Sequence, residues 1–198
     1  MRRGGEAAIR AVGRFFMRDD PVHQALRGIA RRLDELRIPY AVVGGMALVA
    51  HGYDRTTVDV DILITAEGRD AAHKSLEGLG YVAPFAGSKN LRDTQTGVQI
   101  EFLVAGQYPG DGKPKPVQFP DPAAAATEID GIRFVNLPTL IELKLASGMT
   151  NPGRLRDLAD VQELIRVLKL PAEYAEKLNP YVRAKFNELW DGLLGDSP

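Results

Sequence analysis

The sequence predicts an α/β domain: a small, mixed, twisted sheet backed by helices and followed by a C-terminal helical unit. Three observations carry that expectation. Residues 58–64 and 98–104 each alternate apolar and polar side chains with the period of a strand. Asp130-Gly131, between two apolar runs, is a two-residue hairpin signal. From residue 138 onward the apolar positions recur with helical spacing.

Residues 1–18 place Arg2, Arg3, Arg10, Arg14 and Arg18 around Ile9, Val12 and Phe16, the pattern of a loosely attached basic helix. Glu6 and the low Ser content separate it from a transit peptide. A helix follows over 21–37, where Asp20 can cap, Pro21 suits the first position, and Leu26, Ile29, Leu33 and Leu36 form one stripe. Pro39 ends it. Residues 40–43 read as a buried strand. The Gly44-Gly45 turn then opens a short apolar helix, which Gly52 closes in a left-handed conformation. After the strand at 58–64 come a helix over 69–79 closed by Gly80, strands at 81–82 and 90–94, and the turn at Gly97 into 98–104. Residues 105–127, rich in Gly and Pro, make a surface excursion with a short edge strand expected near 117–119; such a stretch serves as a linker or as a lid. The hairpin takes 128–135. Helices are expected over 138–147, 153–168, 171–178 and 180–192, the second with a stripe of Leu155, Leu158, Val161, Ile165 and Leu168. Trp190 reads as a packing residue. The chain thus divides into a basic segment at 1–18, a core at 19–136 and a helical unit at 137–198.

The strand at 58–64 carries chemistry. Val58, Val60, Ile62 and Ile64 share one face, and Asp59, Asp61 and Leu63 the other. Same-face residues lie about 6.7 Å apart, so the two carboxylates can converge on one cation. Unpaired, they repel and resist ionisation. Hard oxygen donors of this kind suit Mg²⁺. A solvated strand face is the plainer reading of Asp-x-Asp alone. The Gly44-Gly45 turn upstream shifts the balance, because it lets backbone approach an anion and presents a helix N-terminus to it. A phosphate cradle beside paired carboxylates is what metal-assisted phosphoryl transfer requires. On 98–104, Val98, Ile100, Phe102 and Val104 form one face, so Glu101 emerges beside Asp59 and Asp61 if both strands bury their apolar sides against the same helices.

Lys144 stands in the middle of the apolar arc of Leu140, Ile141, Leu143 and Leu145. A lysine there must snorkel, pair with an acid or meet an anion. Asp157 falls inside the apolar arc of the next helix and Asp160 at its edge. Lys144 therefore reads as a partner of Asp157, as a phosphate ligand, or as both. Arg55, on the turn feeding the acidic strand, is placed for phosphates, and Thr57 shares the face of Asp59. His51 reads equally as a capping, packing or catalytic residue.

Residues 40–64 resemble the nucleotidyltransferase superfamily that shares the DNA polymerase β palm fold. Its pattern is a Gly-Gly or Gly-Ser turn, a short helix, and Asp-x-Asp on the next strand, met here by Gly44-Gly45 and Asp59/Asp61. His51-Gly52 with Arg55-x-Thr57-x-Asp59 looks closest to the small bacterial branch that contains abortive-infection-type toxins. Leu143-Lys144-Leu145 and the Arg154, Arg156, Asp157, Asp160 group follow the related pattern loosely. The resemblance implies transfer of a nucleoside monophosphate from an NTP such as ATP to an acceptor hydroxyl, with release of pyrophosphate. Asp59 and Asp61 would hold two Mg²⁺ and Glu101 one of them. Gly44, Gly45, Arg55, Thr57 and Lys144 would hold the triphosphate. Glu101 departs from the Asp usual at the third position.

Composition bounds the partners. The net charge of −1 creates no global attraction for nucleic acid. Residues 1–37, however, hold nine Arg against five acids, a local +4 against −5 elsewhere. That segment, with few aromatics to line a drug-sized pocket (one Trp, six Tyr, seven Phe), favours a macromolecular acceptor, RNA such as tRNA or a protein. The alternatives are an antibiotic-type small molecule, or a non-catalytic module binding a nucleotide or a cognate antitoxin. With no apolar run long enough to span a bilayer, a membrane partner is not expected and a cytoplasmic location is. The absence of cysteine excludes disulfides and thiolate metal sites.

Overall fold

A computed structural model describes residues 20–195; the basic segment expected at 1–18 lies outside them. Seven strands form one mixed sheet. They are β1 (Tyr40–Val42), β2 (Asp59–Ile64), β3 (Tyr81–Val82), β4 (Leu91–Asp93), β5 (Gln99–Val104), β6 (Ala126–Ile129) and β7 (Ile132–Val135), in the order β3-β4-β5-β2-β1-β7-β6. β2 runs parallel to β5 and antiparallel to β1, and β1 runs parallel to β7. The helices are α1 (Pro21–Glu35), α2 (Gly44–Ala50), α3 (Ala66–Leu76), α4 (Pro122–Ala125), α5 (Leu137–Thr150), α6 (Leu155–Leu168) and α7 (Pro180–Gly195).

Local chemistry sets most boundaries. Asp20 accepts from the backbone N–H of Val22 and His23, with Pro21 at the first helical position. Asp130 and Gly131 both take positive φ, 51° and 76°, as the tight hairpin of β6 and β7 needs. Gly52, at φ 97°, closes α2: its N–H donates to Val49 and that of Tyr53 to Leu48, the paired bonds of a Schellman cap. One buried core runs from Val22 of α1 through β1, β2 and β5 to Phe186 of α7.

Several expectations are corrected. Val58 is 82% exposed, because the β2–β5 ladder begins at Asp59 opposite Gln99. Leu36 lies past the last turn of α1 and is exposed, as is Leu155 at the first position of α6. The helix after β2 starts at Ala66 rather than 69, because the Thr65 hydroxyl caps it through the Gly68 N–H. Residues 117–119 form no strand; the Phe119 backbone instead exchanges hydrogen bonds with Gly106 and Gln107, each 2.8 Å. Asp121 caps a four-residue helix, α4, within the excursion. The helix expected over 171–178 is 3-10 in form, Ala172–Lys177.

Candidate active site

The parallel register of β2 and β5 puts Asp59 opposite Gln99 and Asp61 opposite Glu101. Both strands turn their apolar side chains, Val60 and Ile62 against Ile100 and Phe102, into the core. The acids therefore emerge together on the other face. The Thr57 hydroxyl donates to Asp59 Oδ1 at 2.8 Å, and Gln99 Nε2 donates to Glu101 Oε1 at 3.0 Å.

The glycine pair seats this strand. Gly44, at φ 60°, has Asp61 lying where a Cβ would be, and a Cβ on Gly45 would come within 2.7 Å of the Thr57 side chain. Val43 N–H donates to the Asp61 carbonyl at 2.9 Å. No side chain caps the N-terminus of α2, whose first N–H groups open beside Asp61. The two glycines thus let α2 close onto β2 as well as leaving backbone exposed to a ligand.

Asp61 is the strained charge. Burial, then repulsion from Asp59 and Glu101, push its carboxyl up to about 7, against a partial offset from Lys144 and Arg154. Among the described residues no three acids, histidines or cysteines draw together into a preformed metal cage. Asp59 and Glu101 are instead held along their own strands by Thr57 and Gln99. The donor set nevertheless fits a divalent cation: three hard carboxylates, one of them carrying charge at a cost that a cation would remove. Asp59, Asp61 and Glu101 are the residues that could hold it.

Lys144 is buried and bonded to both acids that the sequence offered, Asp157 Oδ1 at 2.9 Å and Asp160 Oδ2 at 2.8 Å. Ser147 donates to Asp157 at 2.7 Å, and Arg55 to Asp160 at 2.5 Å. Asp160, placed at the edge of the arc by helical spacing, is the more buried of the two acids, at 3% exposure. Lys144 also lines a cleft of about 120 Å³ with Gly44, Asp61, Glu101, Arg154 and Asp157. Pairing and facing the cleft are therefore both realised. Arg55 does not line that cleft; its Nε is buried without a hydrogen bond. His51 donates from Nε2 to the Val135 carbonyl at 2.8 Å, an anchor to β7. Trp190 packs, its indole bonded to the Leu170 carbonyl.

Sequence reasoning missed the third wall of the cleft. Pro109, Gly110 and Phe119 of the excursion supply it. Asn151 Nδ2 donates to the Gly110 carbonyl at 3.2 Å, and Gly110, at φ 77°, rests on Ser147 and Thr150. The only trace of this in the sequence was the glycine and proline content of 105–127.

Neither protein-family models nor curated proteins match the chain. Solved structures do. The solution structure of the antibiotic-resistance factor ANT(2'')-Ia is 18% identical, covers 86% of this chain and 94% of its own, and superposes with a TM-score of 0.54. The crystal structure of ANT(2'')-Ia with adenylyl-2''-tobramycin is 17% identical over 79% of this chain and 91% of its own, with a TM-score of 0.50. The chain has the nucleotidyltransferase fold. No helix among the described residues is long and apolar enough to cross a membrane.

Proposed function

We propose that the chain is a nucleotidyltransferase, moving a nucleoside monophosphate from an NTP to an acceptor hydroxyl. The observation that carries this reading is the register of Asp61 against Glu101, with Lys144 and Arg154 facing the same cleft. The acceptor oxygen attacks the α-phosphorus, the bond to the bridging oxygen breaks, and pyrophosphate leaves. Asp59, Asp61 and Glu101 would hold a divalent cation such as Mg²⁺, which would supply charge neutralisation at the phosphates and lower the acceptor's pKa. Lys144 and Arg154, with the first N–H groups of α2 at Gly44 and Gly45, bind the phosphate oxygens. Glu101, opposite Asp61 in the same cleft, would receive the acceptor proton. Thr57 fixes the rotamer of Asp59. Arg55 is better read as an orienter: through Asp160 it steadies Lys144 rather than touching phosphate itself.

The cleft is smaller than the roughly 300–1,000 Å³ of a site that encloses a drug-sized ligand. It suits phosphates and cation, with the base and the acceptor outside it. An RNA acceptor is favoured by the arginine-rich residues 1–37. A small antibiotic-type acceptor is the second reading, favoured by the adenylyl-2''-tobramycin of the ANT(2'')-Ia structure. The test is incubation with labelled NTPs, Mg²⁺ and, in turn, RNA, protein and antibiotic pools. Label should move to one pool and not move with Asp61→Asn or Asp59→Asn. Transfer that survives either substitution would defeat the proposal.

A further inference from the structure

A second cavity, of about 490 Å³, lies between α1 and the β3–β4 edge of the sheet and shares no residue with the acid cleft. Arg27, Arg31 and Arg32 line one wall; Tyr81 of β3 and Gln95 of the β4–β5 turn contribute to the rest. Arg27 and Arg31 are one turn apart, about 6 Å along the helix, a like-charge spacing that works against the helix itself. Arg32 is answered by Glu35 at 2.8 Å. Arg31 has no hydrogen bond or ion pair with a described residue.

Tyr81 supplies the opposite wall. Tyr81 is only 6% exposed, yet its hydroxyl has no hydrogen-bond partner among the described residues. It lies over Gly28, 3.4 Å from where a Cβ would be, so the glycine leaves the floor of the cavity open. The hydroxyl opens on the cavity, where it can donate to whatever occupies it. Burial and the neighbouring Asp93 push the phenol up to about 12, so it stays a donor at neutral pH. Asp93 also lines the cavity, its Oδ1 engaged by the Gln95 N–H at 2.8 Å and the Thr96 N–H at 3.4 Å.

We propose that this cavity binds a phosphate-bearing ligand of about one nucleotide, its phosphate on Arg31 and Arg32 and its sugar or base on Tyr81 and Gln95. The cavity falls within the volume range of small-ligand sites, and Arg31, which no carboxylate answers, offers a guanidinium to an anion there. The ligand is either a residue of an RNA strand or a free nucleotide, and the site is independent of the acid cleft.

The test measures binding of a fluorescent single-stranded ten-residue RNA, with AMP as competitor, to the full chain in EDTA. All proteins carry Asp61→Asn, so that the proposed transfer site is out of play and its failure is scored separately by the label-transfer assay. Arg31→Ala should weaken RNA binding about tenfold and lower the log–log salt slope by about 0.7. Tyr81→Phe, which removes only the hydroxyl, should weaken it about threefold. Displacement by AMP would identify a free nucleotide as the occupant; RNA binding that AMP does not displace would identify a strand. Binding that neither substitution changes, or no binding of RNA or AMP at all, would overturn the proposal.

Discussion

Asp61→Asn should make the metal-free protein more stable at neutral pH while leaving its stability at pH 4 unchanged. In the unfolded chain this carboxyl ionises near 3.8; in the folded protein it keeps its proton up to about 7. Between those values the unfolded state sheds a proton that the folded state retains, so stability falls as pH rises, and above 7 it is flat. A shift of about three units corresponds to about 4 kcal/mol. Solvent reaching Asp61 through the cleft screens part of this, and about 2–4 kcal/mol is expected. For a chain of this size that is roughly 5–15 °C in Tm. The assay is thermal melting of both proteins in EDTA from pH 4 to pH 8, read as the difference between them so that other titrating groups cancel. The difference should grow through the window 4–7. Mg²⁺ at pH 8 should raise the wild-type Tm and leave the variant nearly unmoved. A difference independent of pH, or a variant less stable at pH 8, would refute the crowding of Asp61 by burial, Asp59 and Glu101.

Lys144→Met leaves Asp157 and Asp160 with only Ser147 and Arg55 as partners, and should cost about 3 kcal/mol, the low end for breaking a buried pair. The urea midpoint should fall by about 1.5 M; an unchanged midpoint would show the network to be dispensable. Gly44→Ala, at φ 60° and against Asp61, should cost about 1–3 kcal/mol and abolish transfer, whereas Gly131→Ala, equally left-handed but facing open space, should lower Tm and spare transfer. Gly110→Ala would drive a Cβ into Thr150 and the Ser147 carbonyl; proteolysis within 105–121 should accelerate, with no comparable change elsewhere in the chain.

The part of this arrangement that lies in alternation was legible in the sequence. Period two assigned Asp59, Asp61 and Glu101 to one face, and the parity held because Val60, Ile62, Ile100 and Phe102 could be buried only on the other. Asp130-Gly131 and Gly52 were legible because their φ values are a local demand. What stayed hidden depends on partners remote in sequence. Arg55 meets Asp160 across 105 residues, and nothing in the turn that carries it says so. The excursion that walls the cleft is tied to the helical unit through backbone carbonyls, those of Gly110 to Asn151 and Pro116 to Asn179, and a carbonyl has no residue type to read. Val58 shows the converse. It continues the alternation, but no strand pairs with it, so the pattern overran the ladder by one residue.

The charges of the cleft also decide how an NTP can enter it. Asp61, Glu101 and Asp157 line it with Lys144 and Arg154, three carboxylates against two cations. Lys144 is already committed to Asp157 and Asp160. Arg154 has no ion pair with a described residue, and it already offsets the charge of Asp61. A triphosphate therefore meets a site whose own charge is negative, and the N–H groups of a two-turn helix cannot reverse that. On the proposed function, binding would require cations to arrive first or with the nucleotide. ATP affinity, measured by equilibrium dialysis, should rise at least about a hundredfold between EDTA and 5 mM Mg²⁺, the scale of two additional charge-assisted interactions. Asp61→Asn should lose most of that dependence, because one carboxylate fewer weakens the cation's hold and eases the repulsion of bare phosphate. Equal ATP affinity with and without Mg²⁺ would show that Gly44, Lys144 and Arg154 suffice for the phosphates, and the carboxylates would then need another purpose.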